Sequence, residues 1–530
     1  MAPPTYLGLS GRSLSMVLSG IATNGFLLFG YDQGVMSGII SAAPFNDFFP
    51  STKDSTMQGF VTAIYEIGCL AGAMSVLAWG DRLGRRRAMI IGGIIMILGT
   101  IIQVTPERGA NPLAQLVVGR IVTGVGNGMN TSTIPTYQAE CSKSTNRGLL
   151  ICIEGGVIAF GTLIAYWVDF GAAYGSADLS WRLPIALQII FGIVLSVFMV
   201  WLPESPRWLL THERYEEAEH VIAAIRGYEV DSDDTRAERD IILDSIRASG
   251  FGSQRSTPIK ALFTGGRTQH FRRMILGSLT QLMQQVGGCN AVIYFCPILF
   301  KSSLNKSDHQ SMLLGGINMI VYAIFATTSW FVVERLGRRK LFLIGTFGQM
   351  SAMIITFACL IPGTPGPAKG AAFGLFLYIA SFGASWLPLP WLYPAEINPL
   401  KTRAKANAVS TCTNWLFNFL IVMVTPVMIS NIHWGTYLFF AVMNAIFFPI
   451  IYFFFPETAN RSLEEIDIIF AKGFVEKKSY VQAAKEIPLL SPTEVETEAI
   501  RYGLVDSRAD GAALRDRDEK NTFESDSRDE

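Results

Sequence analysis

The apolar residues of this chain come in long blocks. MVLSGIATNGFLLFG, AMIIGGIIMILGTII and YLFFAVMNAIFFPIIYFFF are examples, and each approaches or reaches the ~20 residues that a helix needs to span a lipid bilayer. About twelve such blocks occur, near residues 16–40, 57–79, 88–105, 113–136, 149–170, 183–202, 273–300, 311–333, 341–361, 370–394, 405–429 and 434–455. The pattern predicts an all-α membrane protein with twelve transmembrane helices.

Three motifs in the polar loops occur twice, in the same order and about 250 residues apart. The pairs are GDRLGRRR (80–87) with ERLGRRK (334–340), PTYQAECSKSTNRG (135–148) with YPAEINPLKTRA (393–404), and PESPR (203–207) with PETAN (456–460). Chance does not plausibly produce three ordered repeats at one offset. We therefore predict two six-helix bundles, as in carriers built from parallel repeats.

The repeats divide the chain into five predicted parts. These are an N-terminal tail (1–15), a first bundle (16–202), a helical linker (203–272), a second bundle (273–455) and a C-terminal tail (456–530). The linker contains the amphipathic stretches RYEEAEHVIAAIRG and RDIILDSIRAS, and the polar chain after about residue 472 predicts mostly disorder. By the positive-inside rule, the short basic loops are predicted to lie in the cytoplasm, and the linker and both tails are predicted to lie on the same side.

Composition agrees with a membrane protein and excludes other classes. Only 16% of the residues are charged, whereas a soluble chain carries roughly 25%. The formal net charge is zero, so no nucleic-acid partner is expected. The seven cysteines lack disulfide or zinc spacing, and no nucleophile–base pair, metal cluster or phosphate loop occurs. We therefore expect no enzyme, no cofactor and no metal site.

Two interpretations fit the basic motifs. Arginines near a membrane helix can simply stop translocation, but that alone would not require Asp81, Gly84 or the same pattern in both bundles. We favour a cytoplasmic latch, in which arginines bridge to glutamates when the cytoplasmic face is closed and release them as the two bundles rock. The predicted latch residues are Arg82, Arg85, Arg86, Glu140, Arg147, Glu204, Glu334, Arg335, Arg338, Glu396, Arg403 and Glu457.

Together these motifs resemble one family. GDRLGRR, the Glu-x6-Arg-Gly end of the fourth block, PESPRWL, ERLGRR and PETAN with RSLEEID are similar to the sugar porter family of the major facilitator superfamily, over nearly all of 16–472. FGYDQG, NTSTIP, ECSKSTNRGLL, STCTNWLFNF and PETANRSLEEIDIIFAK resemble its fungal sugar-transporter-like branch, which contains glycerol–proton and sugar–proton symporters. The resemblance implies a twelve-helix carrier in a fungal membrane.

Amide side chains within the apolar blocks mark a candidate substrate cavity. A polyhydroxylated solute needs groups that donate and accept hydrogen bonds without charge, and an aromatic face. The candidates are Gln284, Gln285 and Asn290 in QLMQQVGGCNAVIYF, Trp391 in the tenth block and Asn414 in the eleventh. An ideal helix would not place the first three on one face, but Gly287 and Gly288 permit a break. Buried amides can instead form hydrogen bonds that only join membrane helices. For the whole set of residues we favour a binding site. By resemblance, these positions match the residues that bind the sugar in the family.

Two positions depart from the family pattern. Counted without gaps, the family's glutamine in the fifth helix falls on Gly155, preceded by Glu154, and its asparagine in the eighth helix falls on Tyr322. A hexose site would therefore lack two amides, and unpaired sugar hydroxyls lose affinity. This favours a smaller polyol such as glycerol, or a sugar held differently through Glu154 and Tyr322.

Asp32 lies in the middle of the first block, where a charged carboxylate costs at least about 2.5–3.5 kcal/mol. It could pair permanently with Arg120 of the fourth block and only fix packing. Alternatively, Asp32 takes up a proton when separated from Arg120 and releases it when paired. In the resembled family this pair is the coupling site of proton symporters. Glu66 and Glu154 are further buried acids, and the sequence does not decide whether they assist the proton or bond to a neighbouring helix.

The sequence thus predicts a monomeric carrier in the plasma membrane that imports a monosaccharide or glycerol together with protons. A passive sugar uniporter with the same site is the alternative, and a sugar sensor of the same fold is a third possibility. Sensors of this fold tend to have much longer cytoplasmic tails than the ~60 polar residues that follow residue 472 here. Asn305, in NKS, begins a glycosylation sequon in a loop predicted to lie outside.

Overall fold

The computed structural model describes residues 3–107, 109, 111–142, 147–248, 259–304, 307–399 and 401–504. Eleven segments of this described chain are long and apolar enough to cross a membrane. A further long helix, Pro112–Cys141, is richer in glycine, asparagine and threonine. Together they give the twelve predicted crossings.

The first half comprises residues 11–201. Its helices in the described chain are α1 (Gly11–Ile39), α2 (Ala43–Phe48), α3 (Ser55–Leu83), α4 (Arg85–Val104), α5 (Pro112–Cys141), α6 (Arg147–Ala172) and α7 (Leu179–Trp201). Local sequence explains where two of these helices begin. Asp54 is the N-cap of α3 and accepts hydrogen bonds from the backbone N–H groups of Thr56 and Met57, and Pro112 occupies the first turn of α5.

The linker forms short helices, as its amphipathic pattern predicts. They are α8 (Pro206–Thr211), α9 (Tyr215–Arg226) and α10 (Asp233–Ala248). Ser15, near the start of α1, donates to the carbonyl of Ile225 in α9 (3.1 Å). The linker therefore lies at the same end of the first half as the start of α1. We call this end the linker side and the opposite end the far side.

The second half repeats the first, with two of its crossings interrupted. Its helices are α11 (His270–Val286), α12 (Cys289–Leu304), α13 (Asp308–Leu336), α14 (Arg338–Leu360), α15 (Pro365–Ser381), α16 (Leu389–Ile397), α17 (Arg403–Ile432) and α18 (Gly435–Phe454). The seventh crossing is α11 followed by α12. The tenth is α15 followed by α16, with a π-helical turn at Phe382–Trp386 between them.

The two halves meet along α3 with α17 and along α6 with α13, and α1 packs on α12. Within the first half, small residues allow close approach: a Cβ at Gly30 of α1 would come within 2.0 Å of the Ile158 carbonyl oxygen of α6. Outward-facing side chains such as Phe331 and Phe453 are 64% and 62% exposed, as expected for a surface covered by lipid.

The prediction of disorder after residue 472 is wrong for the part of the tail that the structure describes. Helices α19 (Leu463–Val475), α20 (Tyr480–Glu486) and α21 (Pro492–Arg501) follow one another. Ser462 and Ser491 form capping boxes, and apolar residues such as Ile468, Ile487 and Tyr502 bury one another. The sparse apolar residues of this polar segment thus suffice for a small core. Residues 505–530 lie outside the described chain.

Candidate functional site

The seventh crossing (His270–Lys301) is broken near its own middle, between Val286 and Cys289. The backbone of Gly288 has φ +100°, and a Cβ there would lie 2.9 Å from the ring of Phe440, so glycine is required. The freed carbonyl of Gly287 accepts hydrogen bonds from the Tyr378 hydroxyl (2.8 Å) and Asn444 Nδ2 (3.1 Å). The predicted break is therefore present, and it changes which side chains of α11 and α12 face each other.

Two helices contribute the first part of a buried amide network. Asn414 Nδ2 of α17 donates to Oε1 of Gln281 (2.6 Å) and of Gln284 (3.1 Å), both on α11. Gln284 Nε2 in turn donates to the carbonyl of Trp386 (2.7 Å) in the π-helical turn, where the local backbone bonding is altered. Gln281 Nε2 donates to the carbonyl of Pro390 (2.7 Å). These bonds join the seventh, tenth and eleventh crossings.

The second part of the network spans the break. Asn290 Nδ2 of α12 donates to Gln285 Oε1 (2.8 Å) and to Asn418 Oδ1 (2.6 Å). Each of the six amide side chains is at most 5% exposed, and Asn418 Nδ2 has no hydrogen-bond partner among the described residues. Such a network offers several neutral donors and acceptors that a polyol could satisfy in place of the internal bonds.

Sequence reasoning missed Gln281 and Asn418. Both could have been found by helical spacing, because Gln281 lies three residues before Gln284 and Asn418 lies four residues after Asn414. Residues at these spacings lie on the same helix face.

The structure brings Gln284, Gln285, Asn290 and Asn414 together, but three other predicted substrate residues lie outside this hydrogen-bonded network. Trp391 is partly exposed at the start of α16. Tyr322 is buried, with its ring 5.9 Å from that of Phe382. Glu154 is 4% exposed on α6 and has no hydrogen bond or ion pair within the described chain.

Asp32 and Arg120 form a fully buried pair between α1 and α5. Arg120 Nη1 lies 3.5 Å from Asp32 Oδ1, and Arg120 Nη2 donates to the carbonyl of Thr62 (3.2 Å). The guanidinium also stacks over the ring of Tyr65, 4.8 Å from its centre. Asp32 Oδ2 and Arg120 Nε have no hydrogen-bond partner among the described residues. The pair is long for a charge-assisted bond and incompletely satisfied, so few contacts would have to break to separate it.

A compact ion-pair cluster joins helix ends on the linker side of the first half. Arg85 at the start of α4 contacts Glu140 (3.1 Å) and Asp81 (3.0 Å). The backbone N–H groups of Arg85 and Arg86 donate to the carboxylate of Glu204 (3.0 and 3.1 Å). Burial raises the pKa of Glu204, while the N–H groups that it accepts oppose this rise. The end of α7 is thereby fastened to the start of α4.

The second half contains the same cluster. Arg338 contacts Glu396 (2.7 Å) and Glu334 (2.8 Å), and the backbone N–H groups of Arg338 and Arg339 donate to Glu457 (2.8 and 3.1 Å). The repeated sequence motifs thus form equivalent ion pairs and hydrogen bonds in the two halves. Each cluster lies within its own half, since the charged contacts described for the first cluster reach no glutamate of the second half.

Other predicted latch residues contribute less in this structure. Arg82 and Arg335 are exposed, and Arg403 Nε donates to the carbonyl of Asn398 (3.2 Å). The side chain of Arg147 lies outside the described chain, as does the predicted sequon residue Asn305.

Comparisons of the sequence and of the fold with known proteins find membrane transporters. The family described as "Sugar (and other) transporter" matches residues 18–470. The "Sugar transporter STL1" of Saccharomyces cerevisiae is 45% identical over 510 residues, which cover 95% of this chain and 89% of that protein. The "Major facilitator superfamily transporter mfsA" of Aspergillus fumigatus is 43% identical over 512 residues, covering 94% of each. Among solved structures, the proton:xylose symporter XylE bound to 6-bromo-6-deoxy-D-glucose matches with a TM-score of 0.74 at 26% identity, over 87% of this chain and 100% of that chain.

Proposed function

The chain belongs to the sugar transporter family of the major facilitator superfamily, and from this premise we propose that it imports a small polyhydroxylated solute together with protons by alternating access. It is a multi-pass membrane transporter, and its relatives are transporters rather than enzymes. The proposed solute is a monosaccharide, such as a hexose or pentose, or glycerol.

The buried amide network supports an uncharged, hydroxyl-rich solute. Its six side chains offer donors and acceptors but no formal charge, and an ionised solute would lack a counter-charge within the network. The match to the sugar transporter family and the sugar transporter relative from Saccharomyces cerevisiae point to sugars. Gly155 and Tyr322, which replace two amides of the family pattern, favour a smaller polyol or a sugar held in another way.

The buried Asp32–Arg120 pair is the observation that carries the proton-coupling proposal. Asp32 is 0% exposed, its ion-pair contact with Arg120 is long, and its Oδ2 has no hydrogen-bond partner among the described residues. This carboxylate therefore has a strong reason to bind a proton whenever Arg120 moves away. The solved structure of a proton:xylose symporter shares the fold over its whole length. A passive uniporter is the second candidate, because the same buried pair would also suit a permanent packing role.

Alternating access requires the two halves to move against each other. The Arg85 and Arg338 clusters are the proposed latch: each holds the linker-side helix ends of its own half together while the halves close on one another. Both tails and the linker are proposed to lie in the cytoplasm of a plasma-membrane monomer, following the basic loops.

Extracellular pH in a weakly buffered suspension of transporter-deficient yeast expressing this chain tests the proposal. Glycerol, glucose and xylose are added in separate pulses. Transient alkalinisation with one solute is expected and identifies the substrate and the proton together. Labelled-solute uptake without a pH change would replace the symporter by a uniporter. No uptake of any of the three solutes, with the protein at the cell surface, would favour a sensor.

A further inference from the structure

A short piece of α12 lies between two interruptions of the seventh crossing. Residues 289–294 follow Gly288, whose φ is +100°, and precede Phe295, whose backbone is not helical (φ −115°, ψ 16°). We call this piece the 289–294 segment. Because both of its ends depart from helical geometry, it can turn without distorting the helices on either side.

The outer end of the segment is hydrogen-bonded to the other half. The Tyr294 hydroxyl donates to Oε1 of Glu66 on α3 (2.7 Å), and both side chains are 0% exposed. Glu66 Oε2 has no hydrogen-bond partner among the described residues. The 2.7 Å hydrogen bond of this buried carboxyl group therefore crosses from the first half to the second.

The neighbouring residue makes a second link for a reason visible in the sequence. Pro297 has no backbone N–H, so the carbonyl of Ile293, four residues earlier, lacks its helical donor. The Tyr166 hydroxyl of α6 donates to that carbonyl instead, and Ser37 of α1 donates to the Tyr166 oxygen (2.5 Å). Consecutive residues of the segment are thus fastened to the first half.

The inner end of the same segment carries part of the substrate network, since Asn290 bonds to Gln285 and Asn418. Glu66 is also the sequence neighbour of Tyr65, whose ring lies under Arg120. The 289–294 segment therefore contacts the amide network through Asn290 and contacts Glu66 through Tyr294. Glu66 is next in sequence to the tyrosine that stacks on Arg120.

We propose that Glu66 is a positioning residue for transport: through Tyr294 it holds the 289–294 segment against the first half and so keeps the far side closed over the amide network. Its part in a transport cycle rests on the proposed function. The bond itself makes a prediction that needs no substrate, because release of the segment should also expose Cys296, which is 0% exposed and lies two residues beyond the end of the segment.

Thiol labelling of Cys296 tests this inference. The full chain is purified with its other six cysteines replaced by serine, and the rate of reaction with a methanethiosulfonate reagent is measured. Loss of one buried hydrogen bond should raise the rate about fivefold in both Glu66→Leu and Tyr294→Phe. The double variant should react no faster than the faster single variant, because both changes remove the same bond.

Two further variants test whether faster labelling of Cys296 comes specifically from loss of the bond between Glu66 and Tyr294. Glu66→Gln retains an oxygen that can accept from Tyr294 and should react at the parental rate. Tyr137→Phe loses a hydrogen bond of equal length, to the carbonyl of Pro203 (2.7 Å), within the first half and should also react at that rate. A parental rate in Tyr294→Phe, an equal acceleration in Tyr137→Phe, or an acceleration in Glu66→Gln as large as in Glu66→Leu would overturn the inference. None of these outcomes depends on whether the protein transports.

Discussion

Replacing Gln284 by alanine should weaken solute binding far more than it weakens the fold. In this structure the Gln284 amide donates to the Trp386 carbonyl at 2.7 Å and accepts from Asn414 at 3.1 Å. If a solute hydroxyl takes over one of these contacts, its loss removes about 1–1.5 kcal/mol of binding free energy. Since 1.4 kcal/mol corresponds to a factor of ten, the KM should rise about tenfold. Asn414 keeps its bond to Gln281, which limits the cost to stability.

Initial rates of labelled-solute uptake, measured over a range of concentrations, give KM and maximal rate separately. Gln138→Ala is the matched control, because Gln138 is a buried glutamine whose bonds to Ser19 and Thr23 (3.2 and 2.9 Å) lie within the first half. It should lower the Tm to a similar extent and leave KM unchanged. A normal KM in Gln284→Ala together with a lowered Tm would show that the amide only joins helices and does not bind the solute.

Three further changes test the proton site, the arginine cluster and a glycine with positive φ. Asp32→Asn should abolish accumulation against a gradient while sparing solute exchange in liposomes; undiminished uphill uptake would remove Asp32 from the mechanism. Arg85→Ala should slow turnover with little change in KM, whereas the exposed Arg82→Ala should change neither; a pure affinity defect in the former would count against the latch. Gly337→Ala places a side chain at φ +83° and should cost about 1–3 kcal/mol of stability, seen as a lower Tm. Gly366→Ala serves as its control, because no atom of the described residues lies within 4 Å of the added Cβ, and equal Tm values for the two variants would contradict a cost from backbone strain.

The sequence predicts the membrane fold well because its main signals are local or repeated. Twenty-residue apolar blocks require a helix in lipid, and the GRR motifs recur because Arg85 and Arg338 make equivalent contacts. The ordered C-terminal tail was not predictable in the same way. Its helices depend on capping boxes at Ser462 and Ser491 and on a few apolar residues that become buried only when three helices pack together.

The candidate site likewise contains some residues that local sequence patterns reveal and some contacts that they do not. Gln284 and Asn414 are visible as amides within apolar blocks, and the glycine pair before Cys289 indicates the break. The contact between Glu66 and Tyr294 joins residues 228 positions apart in different halves, so no local pattern reveals it. The confinement of each arginine cluster to its own half was likewise not evident from the sequence, because charge pattern alone does not choose among several possible glutamate partners.

Uphill accumulation by the purified protein in liposomes is the decisive measurement for proton-coupled import. The labelled solute identified in the yeast pulse experiment is presented at equal concentration on both sides, with the outside about one pH unit more acidic. With one proton per solute, proton-coupled import should give inward accumulation that approaches tenfold, because one pH unit is worth about 1.4 kcal/mol, and this accumulation should collapse when a protonophore is added. Rapid exchange of labelled solute with no accumulation under the same gradient would contradict the claim and identify a uniporter.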